Sequence, residues 1–272
     1  MNEYAQVYLT LGLPRQALAF ALARIPNPLP TIETPFSQYG FPPALIPIYS
    51  NRYPWYVGFW KHWFCDRKPC IVTVVPEEGY AATEEYRTFD QLASHLVLRH
   101  IVAEDGVTDE TWALAQGLGV VDVPALDAIS TVTGDDVQGM SDASAFLNDP
   151  PWQCRKDDAT YRGAFPQPKQ IVAQIGLRNV CGLELTEEQR AHACQLASAP
   201  AWLRSRHQRP VFDSLLASGD LAGAWMSLNS PGWEFRAAKH ALQALADRTA
   251  DDAFRVLASA WIAQPHEEAG SY

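Results

Sequence analysis

Seven prolines fall between residues 26 and 47 (Pro26, Pro28, Pro30, Pro35, Pro42, Pro43 and Pro47), and together they forbid helix across that stretch. Each removes a backbone donor and holds the residue before it extended, which confines the segment to ordered loop or edge strand. The first twenty-five residues read as helical: Pro14 stands where a second helix would begin, and Leu18, Leu22 and Ile25 recur on one face. Beyond the prolines the pattern changes to strand. Residues 45–49, 55–64 and 70–75 are rich in β-branched and aromatic side chains, with turn signals at Ser50-Asn51 and Asp66-Arg67. In the second run Tyr56, Gly58, Trp60 and His62 share one face, and Val57, Phe59, Lys61 and Trp63 the other. Bulk on both faces predicts a strand covered on both sides.

Residues 89–102 turn helical, with Leu92, Leu96 and Arg99 on one stripe and Asp90 near the start. From about residue 108 nearly everything reads as helix. Thr108-x-x-Thr111 and Thr186-x-x-Gln189 place hydroxyls ahead of amphipathic runs. Helical stretches are expected over 186–199, 210–218, 221–228, 234–247 and 251–263, without a fixed repeat. Pro150, Pro151, Pro166 and Pro168 mark a linker. The expectation is an α+β chain in two parts: a sheet domain with an acidic helical extension over 1–148, a linker over 149–168, and a helical domain over 169–272. At 272 residues, 47% hydrophobic and 19% charged, the chain has enough apolar surface for both.

Charge is concentrated in one place. Residues 77–158 hold 17 Asp and Glu against 4 Lys and Arg, whereas 1–76 hold 3 against 6 and 159–272 hold 11 against 11. Between Arg99 and Arg155 there is no lysine or arginine and there are ten carboxylates. Such a field repels nucleic acid and speeds the encounter with basic proteins; a solvated face that only aids solubility has the same composition. The residues expected at a contact are Glu104, Asp105, Asp109, Glu110, Asp135 and Asp136. Among aromatics, Tyr53 and Trp55 beside Pro54 are the ones expected to be exposed as anchors, with Trp60, Trp63 and Phe64 in the core.

Little in the sequence points to catalysis. Nucleophile-elbow, phosphate-loop and zinc-helix motifs are all missing, and Gly117-Leu118-Gly119 reads as a helix terminus. His62, Cys65 and Cys70 match no closed zinc spacing, and five cysteines without a C-x-x-C pair read as structural thiols in a reducing compartment. Cys65 near His62 is the one nucleophile pairing that could be drawn. Arg204, Arg206, His207 and Arg209 form the densest basic cluster, expected as a solvated helix face and not a phosphate site. No apolar run is long enough to span a bilayer. The expectation is a cytoplasmic binding protein with no catalytic residues, metal or cofactor, acting on neither nucleic acid nor membrane.

The run from Tyr39-Gly40-Phe41-Pro42-Pro43-Ala44-Leu45-Ile46-Pro47 through Tyr56–Phe64, the Arg67-bearing turn, strand 70–75 and Phe89-Asp90-Gln91-Leu92 resembles the SMI1/KNR4-type, or SUKH, superfamily over roughly residues 30–102. In that group a proline-bounded Leu-Ile-Pro strand leads to an aromatic strand and then to a helix opening with phenylalanine. The resemblance implies an α+β domain and, for most bacterial members, an immunity protein that binds and neutralises a cognate toxin. It does not cover the C-terminal helices. A helical scaffold or adaptor that binds a peptide through residues 169–272 is the alternative.

Overall fold

The computed structural model describes residues 3–35, 40–51, 55–155, 161–266 and 270–272. Tyr53, one of the two aromatics expected at a contact, lies outside the described residues. The chain is α+β. Helices α1 (Glu3–Thr10) and α2 (Arg15–Ala21) precede a five-stranded antiparallel meander: β1 (Ile32–Glu33), β2 (Leu45–Asn51), β3 (Tyr56–Trp60), β4 (Cys70–Val75) and β5 (Ala81–Tyr86), paired in that order. Pro14 is the N-cap of α2, and the helix stops at Ala21, so Ile25 is buried from the loop beyond it.

Proline shapes the sheet as well as preceding it. Pro47 sits within β2 opposite Gly58, and a bulge follows between Pro47 and Tyr49. A ladder cannot run evenly past a residue with no N–H. The backbones close up there: a Cβ on Gly58 would lie 2.3 Å from the Ile46 carbonyl oxygen, so only glycine fits. β1 covers just the far end of β2, at Ser50 and Asn51. Along the rest of that edge the Tyr8 hydroxyl donates to the Pro47 carbonyl at 2.8 Å. β3 is buried throughout, as bulk on both faces predicts.

β5 is not among the strands expected from the sequence, which end at residue 75. Its burial alternates, with Ala82, Glu84 and Tyr86 facing inward. A glutamate at an inward position breaks the apolar alternation on which strand detection relies. It is held there by Arg87, whose Nη1 donates to Glu84 Oε2 at 2.9 Å.

Next come α3 (Phe89–Ala103), α4 (Asp109–Leu118) and α5 (Val123–Thr133). Thr88 caps α3 and Thr108 caps α4, each accepting from the backbone N–H three residues on. Gly119 ends α4 in the left-handed region, φ 81°, which is the terminus expected of Gly117-Leu118-Gly119. Among the described residues from 137 to 184 the chain runs as short 3₁₀ turns and loops, where helix is expected on either side of the 149–168 linker. The remainder is helical: α6 (Glu187–Gln195), α7 (Ala201–Arg204), α8 (Gln208–Ser218), α9 (Leu221–Leu228), α10 (Phe235–Ala246) and α11 (Asp252–Ile262).

The two parts share one core. Trp261 in α11 donates its indole N–H to the Phe41 carbonyl at 2.9 Å. Asn229 accepts from the Ala44 N–H at 2.8 Å, and Trp63 meets Phe254 edge-on. The segment over 149–168 contributes to it, with Cys154, Phe165 and Gln167 buried.

Candidate functional site

All six carboxylates expected at a contact, Glu104, Asp105, Asp109, Glu110, Asp135 and Asp136, are exposed. They fall into two groups along α3. The first surrounds the junction of α3 and α4. Here α3 ends in a Schellman turn: the Gly106 N–H donates to the Ile101 carbonyl at 2.9 Å, and Asp105 takes the left-handed residue, φ 54°. The second follows α5. Buried Tyr86 and partly buried His95 anchor it: the Tyr86 hydroxyl donates to His95 Nδ1, and His95 Nε2–H donates to the Asp135 carbonyl at 2.8 Å. Burial lowers the His95 pKa, consistent with this neutral tautomer. Nine residues of helix separate His95 from Glu104, so the groups lie about 13 Å apart along the axis.

Local structure accounts for some of these charges and not others. Asp109 and Glu110 occupy the first turn of α4, where the helix dipole favours anions. Asp136 accepts from the Gln138 N–H at 2.9 Å and starts a 3₁₀ turn. Glu104 and Asp105 follow the C-terminus of α3, where the dipole disfavours anions. The fold gives no reason for negative charge at Glu104.

Large apolar side chains are also exposed on this stretch. Of the eight found exposed among the described residues, five lie between 102 and 147: Val102, Trp112, Val121, Val132 and Leu147. Trp112 is 48% exposed and Val121 89%. A face that serves only solubility has little use for them, whereas aromatic and aliphatic anchors within a polar rim are how interfaces are built. Trp112 escapes the sequence reading, yet its signal is there. The buried stripe of α4 is Thr111, Leu114, Ala115 and Leu118, and Trp112 falls off it.

Trp55 is 43% exposed at the turn between β2 and β3. Strand register puts it beside Tyr56, opposite Val74 and then Ala82, whereas Tyr86 lies four residues further along β5. That is about 13 Å along the strand and two strands across. The structure does not bring Trp55 alongside Asp135 and Asp136.

The buried ionisable groups form clusters of another kind. Glu184 is fully enclosed and receives Arg67 through both oxygens, at 2.8 and 3.0 Å, His62 Nε2 at 3.0 Å, and the Cys181 N–H at 2.9 Å. Burial would raise its pKa, but the Arg67 guanidinium, helped by His62, outweighs burial and holds the carboxyl well below the usual range. His62 is itself pushed down by burial and stays neutral. His62, Cys181 and Glu184 bring three donor atoms within 4.8 Å of one another. They make a poor metal site, because Arg67 already supplies the positive charge and burial pushes the Cys181 thiol well above its ordinary value. The metal candidates His62, Cys65 and Cys70 are not the group that assembles. Burial also raises Cys65 and Cys70, opposite to the shift an activated thiolate needs. In the basic cluster, Trp202 is buried and donates to the Val180 carbonyl, and Arg209 pairs with Asp213 on the surface of α8.

No single helix among the described residues is long and apolar enough to cross a membrane. Comparison with protein-family models, with curated proteins and with solved structures gives no match in any of the three.

Proposed function

We propose that this chain is a non-catalytic binding protein that engages a basic protein partner through the exposed face of α3, α4 and α5. On the resemblance of residues 30–102 to the SUKH superfamily, that partner is a cognate bacterial toxin. It is neutralised in the cytoplasm when its active site, or a surface it needs, is covered. The observation that carries this reading is the coincidence, on one stretch free of lysine and arginine, of exposed carboxylates with exposed Trp112, Val121 and Val132. Charge gives rapid encounter and the apolar anchors give residence. The neutral or doubly hydrogen-bonded state of the buried groups supports a role without chemistry.

A peptide-binding scaffold built from the C-terminal helices draws less support, because α9 and α11 spend their aromatic side chains on the shared core with β3 and the loops beside it. For the same reason residues 1–150 alone would expose Phe41 and Trp63, so truncation is a poor way to separate the readings. The full chain should be used instead. A partner is captured from the native host, and its association is timed with the wild type and with Asp135→Lys/Asp136→Lys. The double variant should associate several-fold more slowly at low ionic strength and respond less to salt. Equal rates at both ionic strengths would leave the acidic stretch an ordinary solvated surface.

A further inference from the structure

We propose that the groove between the N-terminus of α3, the α4–α5 turn and residues 143–145 receives one protruding arginine side chain of the partner. This rests on the reading that the acidic face binds a basic protein, and reduces it to a single contact. The groove encloses about 210 Å³. That is below the roughly 300–1,000 Å³ of a small-molecule pocket and suits one side chain. Its floor is apolar and buried: Ala93, Leu118, Leu126 and Ala143. Asp90 and Asp122 are exposed on its rim.

Three observations point to a cation. Neither rim carboxylate makes a hydrogen bond or ion pair among the described residues, and Asp122 precedes α5 without capping it. Ser94, only 8% exposed, lines the groove with a hydroxyl that has no partner among the described residues. A helical serine ordinarily returns its hydroxyl to a carbonyl one turn back, whereas this one is left to the groove. Finally, the nearest guanidinium in sequence, Arg87, is committed to Glu84 and Asp149. The N-termini of α3 and α5 both begin at the groove and oppose a cation, each with about half a positive charge. Two full carboxylate charges exceed them, and the site stays net negative. Arginine suits it better than lysine: a planar fork of five donors can reach two carboxylates and a hydroxyl while its methylene stem lies on the alanine and leucine floor.

The test is a ¹H–¹⁵N NMR titration of the full chain with three blocked tripeptides, Gly-Arg-Gly, Gly-Lys-Gly and the neutral citrulline isostere of the first. The arginine peptide should give saturable shifts at the amides of Ser94, Gly119, Ala125 and Ala143. The lysine peptide should bind several-fold more weakly and the citrulline peptide not at all. Asp90→Asn with Asp122→Asn should weaken the arginine peptide about fivefold to tenfold. Ala125→Phe fills the groove with both carboxylates in place and should abolish the shifts, whereas Glu104→Gln/Asp105→Asn, outside the groove, should leave them unchanged. Equal binding of the citrulline peptide, or shifts that survive Ala125→Phe, would overturn the assignment. Because the titration needs no partner, the two failures are separable. If the peptide fails while Asp135→Lys/Asp136→Lys still slows partner association, only the groove assignment falls. If the peptide binds but the partner ignores charge reversal, the reading of the face falls, and the groove's role with it.

Discussion

The same residue types serve opposite ends in two regions of this molecule. Around Glu184 a carboxylate, a guanidinium and an imidazole lie buried and close, with both oxygens of the acid occupied. From the end of α3 through α5 carboxylates stand in solvent on a stretch without lysine or arginine, with exposed apolar side chains among them. In the first region each charge exists because another answers it within the fold. In the second the fold answers only some of them, through the first turn of α4, the Gln138 N–H at Asp136 and the 4.0 Å approach of His100 to Glu110. A buried pair joins residues 117 and 122 positions apart and holds the two halves in register; an unpaired surface field leaves its attraction available to another molecule.

The contrast breaks most visibly at Arg67. Arg67→Met would leave Glu184 enclosed with only neutral His62 and backbone for company, and should cost about 3–5 kcal/mol in chemical denaturation. A loss below about 1 kcal/mol would mean that the cluster is not what joins the halves.

Glu85 sharpens it, being an acid of the acidic stretch that is mostly enclosed. Burial raises its pKa from the ordinary 4.5 to about 7, and Gln153 donates to it at 3.3 Å. The folded state therefore holds this proton longer than the unfolded chain. The associated stability is fully present below about pH 4.5 and is lost as pH rises through about 7. Glu85→Gln should stabilise by about 1–3 kcal/mol at pH 8 and by almost nothing at pH 4, read from denaturation at the two pH values. Equal effects at both would place Glu85 with the exposed acids.

On the acidic face the expected stability effects are small. Asp135→Lys/Asp136→Lys should lower unfolding free energy by about 0.5–1 kcal/mol, because Asp136 gives up its bond to the Gln138 N–H. Glu104→Lys should stabilise slightly, by about 0.3–0.5 kcal/mol at low ionic strength, because it places a cation at the C-terminal end of α3. A residue whose reversal helps the fold and harms association would separate the two roles most plainly.

How much of this was legible follows the same division. The meander core, the span of α3, the caps at Thr108 and Thr186 and the exposure of the six acids come from local patterns, and local patterns are what a sequence displays. β5 was not legible, because Glu84 occupies an inward position that only Arg87 and the neighbouring loops make tolerable. The Glu184 cluster was hidden because its members are distant in sequence. The 3₁₀ turns over 137–148 stand where helix is expected because their composition is helix-compatible; their irregular path is imposed by packing onto β5 and α3, as where Gln91 donates to the Ala145 and Asp149 carbonyls. The groove was illegible too, since Asp90, Ser94, Asp122 and Ala143 meet only when three segments converge.

The most direct test of the central claim is the association rate of the captured partner with the full chain, measured from low to high ionic strength for the wild type and for Asp135→Lys/Asp136→Lys. The wild-type rate should decline steeply with salt, and the variant's should be slower and nearly flat. Superimposable curves would contradict it and leave the charge between Arg99 and Arg155 as solvated surface alone.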